Sequence, residues 1–271
     1  MSTRTVEGQL GFLGDMAVRP RFHANDQALD VLNIVHHMVT IEDARHRTVQ
    51  PTLDEEGFRL YPHKSAISDF RDSTQLESIH VSEIRDLLMT ISGADHVTVN
   101  GTGVLRFSER SADSGALNNS RPARFVHIDS SDAAAAEFYR KGKPSGGREV
   151  RRSVQYNVWR VVSQPPQDVP LAVCDARSLL PADLVPADAV FDKEGKILFS
   201  FESLLLRYSA SQRWSFYSDM HPDEVLVFKT NDTDPLRAHH VPHGAFDDPT
   251  CPRNAAPRAS IEMRGIAWWF A

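Results

Sequence analysis

The stretch Arg151-Arg152-Ser153-Val154-Gln155-Tyr156-Asn157-Val158-Trp159-Arg160-Val161 decides how the chain folds. Val154, Tyr156, Val158 and Arg160 alternate with Gln155, Asn157, Trp159 and Val161, and an extended strand sends successive side chains to opposite faces. The same texture continues through Leu171 to Cys174, Ile197 to Leu206, Trp214 to Tyr217, Val225 to Lys229 and Ile261 to Phe270, each run bounded by Pro, Gly, Asp or Ser. Short strands at this spacing, without long helices between them, predict a sandwich or barrel and not a parallel βαβ sheet. We therefore expect a mainly β protein with some α, a jelly-roll core with helices from the N-terminal third packed outside it.

Working outward, Ser130-Ser131 caps a helix over the alanine run that ends at Phe138-Tyr139, and residues 141–149 are too rich in Gly and Pro for an element interior, so they read as a loop. Upstream, Val97, Val99, Val104, Leu105 and Phe107 alternate around Asn100-Gly101-Thr102-Gly103, which predicts a hairpin. Ile84, Leu87, Leu88 and Ile91 recur at helical spacing before Gly93. Residues 41–75 form a polar excursion with one edge-strand candidate, Phe58 to Tyr61. Ala28, Leu29, Leu32, Ile34, Val35 and Met38, after the capping pair Asn25-Asp26, predict a first helix, and Gly8 to Phe22 an extended entry. The expected organisation is one domain over 1–271, with a helical and extended part over 1–95 and the β core over 96–271.

With 271 residues, 41% hydrophobic and 24% charged, the composition is that of a soluble globular chain. A net charge of -6 argues against nucleic acid or an anionic membrane as the main partner, which leaves small molecules. Cys174 and Cys251 lie far apart and form no Cys-x-x-Cys pair, so neither a zinc knuckle nor a disulfide framework is expected. With no export signal or membrane span in the sequence, a reducing, cytoplasmic setting fits.

Chemistry concentrates just before the alanine-rich helix. In Phe125-Val126-His127-Ile128-Asp129 a strand projects His127 and Asp129 from one face and Val126 and Ile128 from the other. An imidazole beside a carboxylate supplies two of the three ligands of a two-His, one-carboxylate iron site. Candidates for the third are His239, His240 and His243; His243 is preferred because Pro242 and Gly244 restrict and then relax the backbone around it. Further on, Arg258 and Ser260 offer a guanidinium fork and a hydroxyl, the pair that grips a carboxylate, with Arg264 as the alternative arginine.

This order, together with Asn157-Val158-Trp159-Arg160, Pro170 to Ser178, Arg213 to Tyr217, Pro242 to Pro249 and Pro257 to Arg264, resembles the Fe(II)/2-oxoglutarate-dependent oxygenases, and more closely the AsaB/CmcJ-like hydroxylase/desaturase family. The resemblance runs from about Ile84 to the C-terminus. It implies a double-stranded β-helix (jelly-roll, cupin-like) fold and an oxidoreductase of specialised metabolism that hydroxylates, desaturates or closes rings. It implies Fe(II) held by His127, Asp129 and His243, 2-oxoglutarate as cosubstrate held by Arg258 and Ser260 or by Arg264, and O2 as oxidant. Asn157, Arg160, Asp175 and Trp214 then stand as candidates for contacts to substrate or to the ligands. A small-molecule substrate is implied, with amino-acid and peptide-derived metabolites among the candidates, and a homodimer among the assemblies. Two positions depart from the family: Ala259 stands where Arg-Glu-Ser is usual, and Gln212 replaces the histidine of a His-Arg-Trp run. Substrate identity is therefore not carried over. The rival readings are an iron oxidase or redox-neutral isomerase that needs no 2-oxoglutarate, and a binding protein that has lost turnover.

Overall fold

The alternation read from the sequence becomes two facing sheets in a computed structural model, which describes residues 4–193 and 195–271. The larger sheet runs in the order β1 (Thr5–Leu13), β3 (Ile34–Asp43), β11 (Trp214–Phe216), β8 (Leu171–Cys174), β13 (His243–Ala245), β6 (His127–Ile128), β10 (Lys196–Leu206), β9 (Leu184–Lys193) and β2 (Arg21–His23). The smaller runs β4 (Phe58–Pro62), β12 (Glu224–Asp232), β7 (Val150–Val161), β14 (Ala259–Phe270) and β5 (His96–Phe107). This is the jelly-roll expected of the double-stranded β-helix, and most strand pairs are antiparallel.

Each sheet has one face toward the other. From β8, Leu171 and Val173 pack with Trp159 and Val161 of β7 and with Leu226 and Phe228 of β12, while Ala172 and Cys174 turn to a second core with Val126, Ile128 and Phe216. On the outer side of the smaller sheet, Val154, Tyr156 and Val158 meet a helical run made of α1 (Ser73–Gln75), a π turn at Leu76–His80 and α2 (Val81–Ser92). Asp72 caps its start and Gly93, left-handed at φ 64°, ends it. Burying Ile84, Leu87 and Leu88 there contributes about 1.5–3 kcal/mol for each side chain. The remaining α-helix, α3 (Asp132–Gly142), leaves the end of β6 with Ser131 as its cap.

Three expectations need correction. Residues 25–38 do not form a helix: a single 3-10 turn, Gln27–Leu29, is followed by β3, because Ile34, Val35, Val39, Thr40 and Ile41 are β-branched and β1 lies alongside to pair with them. Residues 96–107 are not a hairpin but one strand with a bulge, where Gly101 to Gly103 lie opposite Met263 alone. Gly101 and Gly103 take φ 71° and 102° there. The boundary at residue 95 also fails to separate a helical part from a core, since β1, β2 and β3 belong to the larger sheet and β4 forms an edge of the smaller. Among the described residues, no helix is long and apolar enough to cross a membrane.

Candidate metal centre

Strands β6 and β13 lie side by side with His127 and His243 as register partners, so both imidazoles leave the same face of the larger sheet. Their ring centroids are 4.4 Å apart. Val126 and Ile128 point the other way into the core, which fixes the phase of the strand. Asp129 follows on the face of His127, with Oδ1 3.6 Å from His127 Nε2. Ligand atoms of His127, Asp129 and His243 all lie within 4.8 Å of one another.

The two imidazoles are oriented alike. His127 Nδ1 donates to the Phe125 carbonyl and His243 Nδ1 to the Val241 carbonyl, each at 3.2 Å. A carbonyl only accepts, so the proton sits on Nδ1 and Nε2 is left with its lone pair, as a metal ligand requires. Burial, together with the neighbouring His127, lowers His243 to about 4 and keeps it neutral. Burial opposes charge on Asp129, yet Arg264 and the two imidazoles hold its carboxyl well below the usual range. Asn157 Nδ2 donates to Asp129 Oδ2 at 2.6 Å and Arg264 Nη2 to Oδ1 at 3.1 Å. Two imidazole nitrogens and a carboxylate suit a divalent first-row transition ion.

The two candidate arginines differ in what they already touch. Arg264 gives Nη2 to Asp129 and, at 2.8 Å, to Glu262, and its Nε has no hydrogen-bond partner among the described residues. Arg258, 1% exposed, gives Nη1 to Ser260 Oγ at 2.9 Å, and its Nε and Nη2 find no hydrogen-bond partner among the described residues. Nε and Nη2 form one edge of the guanidinium fork, the edge that takes both oxygens of a carboxylate. Arg258 lines a small pocket with His127, His243, Trp159 and Leu171. Burial and the nearby Arg106 lower its pKa to about 10, a cost that a bound anion would offset. A buried guanidinium edge in a pocket lined by both imidazoles suits the carboxylate of a ligand bound beside them.

Three sequence candidates lie elsewhere. Arg160 is one residue out of phase with Asn157 and Trp159; buried beyond the outer face of the smaller sheet, it donates to the carbonyls of His63 and Pro222. Asp175 caps the turn Ala176–Ser178 and is bound by Arg177 and Arg213. Trp214 packs in the core against Phe12, 5.9 Å between centroids. The sequence reading missed Arg106, whose guanidinium is held by the carbonyls of Asn119 and Arg121, and Glu262. Glu262 was legible by alternation with Ser260 and Arg264; nothing in sequence spacing joins Arg106 to Arg258. Also missed were Gln155, Phe138, Phe199 and Phe201, which with Asn157, Arg264 and Ile266 line a mostly apolar cavity of about 230 Å³ beside Asp129. A larger cavity of about 590 Å³ includes none of the centre's residues; it is lined by Leu53, Tyr156 and Trp269 on the outer side of the smaller sheet.

Comparison with known proteins accords with this geometry. Residues 16–268 match the family model described as an oxidoreductase/YMDC permease-like domain. The chain is 30% identical over 245 residues to the Fe(II)/2-oxoglutarate-dependent dioxygenase nvfI of Aspergillus novofumigatus, covering 87% of this chain and 84% of that protein. It is 26% identical over 249 residues to the hydroxylase/desaturase CTB9 of Cercospora beticola, covering 85% and 76%. A solved structure of the iron and alpha-ketoglutarate-dependent endoperoxidase NvfI superposes with a TM-score of 0.83 at 25% identity, over the whole of both chains.

Proposed function

The chain belongs to the Fe(II)/2-oxoglutarate-dependent dioxygenases, and from that premise we propose that His127, Asp129 and His243 hold the iron while Arg258 and Ser260 hold the far carboxylate of 2-oxoglutarate. One observation carries the assignment of the cosubstrate: Arg258 is buried with the carboxylate-binding edge of its guanidinium unpartnered, in a pocket shared with both imidazoles. Arg264, the alternative, is engaged with Asp129 and Glu262 and serves to hold the ligand carboxylate in place. Asn157 does the same from the other oxygen.

When bound, iron, 2-oxoglutarate and O2 supply the oxidising power that removes hydrogen from a substrate carbon, the common first requirement of hydroxylation, desaturation and ring closure. The protein's part is placement. Trp159 and Leu171 keep water from the cosubstrate pocket, and the apolar cavity beside Asp129 seats the substrate. Its lining by Phe138, Phe199, Phe201 and Ile266 suits a small molecule with a hydrocarbon face better than a free amino acid. Residues 1–271 act as one oxygenase domain in this reading, because β6 and β13 of one sheet and β7 and β14 of the other all contribute to the centre. A reducing, cytoplasmic setting fits the two free cysteines, and a homodimer is the assembly that light scattering would test.

The experiment is to follow succinate formed from 2-oxoglutarate with iron and O2 present. Turnover that needs added Fe(II) and is abolished in His127→Ala and Asp129→Ala is the expected result; turnover surviving in either variant removes the assignment.

A further inference from the structure

A second cluster of donor atoms is built from the same two stretches of chain as the centre. Asp132 follows Asp129 by three residues, at the start of α3, and His239 and His240 precede His243; the ligand atoms of Asp132, His239 and His240 also lie within 4.8 Å of one another. His239 Nδ1 meets the Asp232 carbonyl at 2.6 Å and His240 Nδ1 the Thr230 carbonyl at 2.8 Å. As at the centre, acceptor-only carbonyls place the proton of each neutral ring on Nδ1. Both Nε2 lone pairs then face Asp132 Oδ1, at 2.7 and 3.3 Å, and a lone pair gains nothing from a carboxylate oxygen; the donor near His239 Nε2 is Asn231 Nδ2, at a long 3.4 Å. Asn231 Nδ2, at 2.9 Å, is the donor this oxygen does have. A divalent cation among the three atoms satisfies all of them at once.

We propose that Asp132, His239 and His240 form a second metal site, separate from the iron centre, for a divalent transition cation of the zinc class. Zinc takes imidazole nitrogen and carboxylate oxygen at about 2.0–2.2 Å in a tetrahedron, which spaces ligand atoms roughly 3.4 Å apart. The His240 to Asp132 separation of 3.3 Å already matches. The shorter His239 contact opens by rotation of the Asp132 side chain, which is 72% exposed and also leaves the ion a way in, with water as fourth ligand. Bound there, the ion ties the start of α3 to the segment that leads into His243.

Calorimetric titration of the tag-free, metal-stripped full chain with zinc(II) tests this. The wild-type chain takes two equivalents, His239→Gln/His240→Gln and the milder Asp132→Asn each lose one, and His127→Ala retains the equivalent assigned to the second cluster. Thermal melts of the metal-free variants show whether they fold; if the double variant does not, Asp132→Asn, at an exposed helix start, decides alone. A zinc stoichiometry unchanged in folded Asp132→Asn, or a single wild-type equivalent lost in His127→Ala, overturns the second site.

Discussion

Residue phase separates the arginines of this chain into different tasks. Ser260, Glu262 and Arg264 alternate on β14 toward the facing sheet, whereas Arg160 on β7 falls in the opposite phase from Asn157 and is buried behind the sheet. Alternation in the sequence told which residues share a face; which face is inward depends on strands that pair from far along the chain, so Arg160, Asp175 and Trp214 were misplaced while His127, Asp129 and His243 were brought together. Burial of neutral histidines has a pH consequence. His243 and His80 are both lowered to about 4 by burial, so between pH 6.5 and 4 the unfolded chain binds protons that the folded chain does not. Stability of the metal-free protein therefore falls as pH drops through that window. Denaturant melts at pH 7 and 5 should show a lower unfolding free energy at pH 5, and a shallower dependence in His80→Phe; equal stability at both pH values contradicts this.

Elements set what periodicity could and could not reveal. The strands after residue 150 and helix α2 were legible because long runs of one period dominate them. The stretch from Ala28 to Met38 was not, because its apolar residues happen to fall near helical spacing while Leu29, Val35 and Met38 end up exposed and β1 supplies the pairing that decides for strand. The bulge in β5 was equally hidden, since glycines in a turn and glycines in a bulge look alike until the partner strand is known. Close approach of β1 to the stretch that leads into β6 is specified by Gly11: it bridges Phe125, and a Cβ there would lie 2.6 Å from the Arg124 carbonyl oxygen. Because that obstacle is backbone, Gly11→Ala should destabilise the protein by about 1–3 kcal/mol, as overpacking does. A change below roughly 0.5 kcal/mol, the range of ordinary surface substitutions, would show that the strands separate freely.

At the scale of the molecule, the centre exists only where the two sheets meet. The side of the larger sheet offers His127, Asp129 and His243; from the smaller, Asn157 and Arg264, the latter backed by Glu262, hold the Asp129 carboxylate, and Arg258 shares a pocket with both imidazoles. The claim that ties these together is that iron and 2-oxoglutarate bind jointly, the latter through Arg258. Anaerobic titration of the Fe(II)-loaded chain with 2-oxoglutarate, read by the visible charge-transfer band of the chelate, addresses it directly. The wild-type chain should develop the band, His127→Ala should not, and Arg258→Gln should need roughly 10- to 100-fold more 2-oxoglutarate, the loss expected on removing charge-assisted hydrogen bonds worth about 1.5–3 kcal/mol. An unchanged titration in Arg258→Gln, or a band that persists in His127→Ala, would contradict the account.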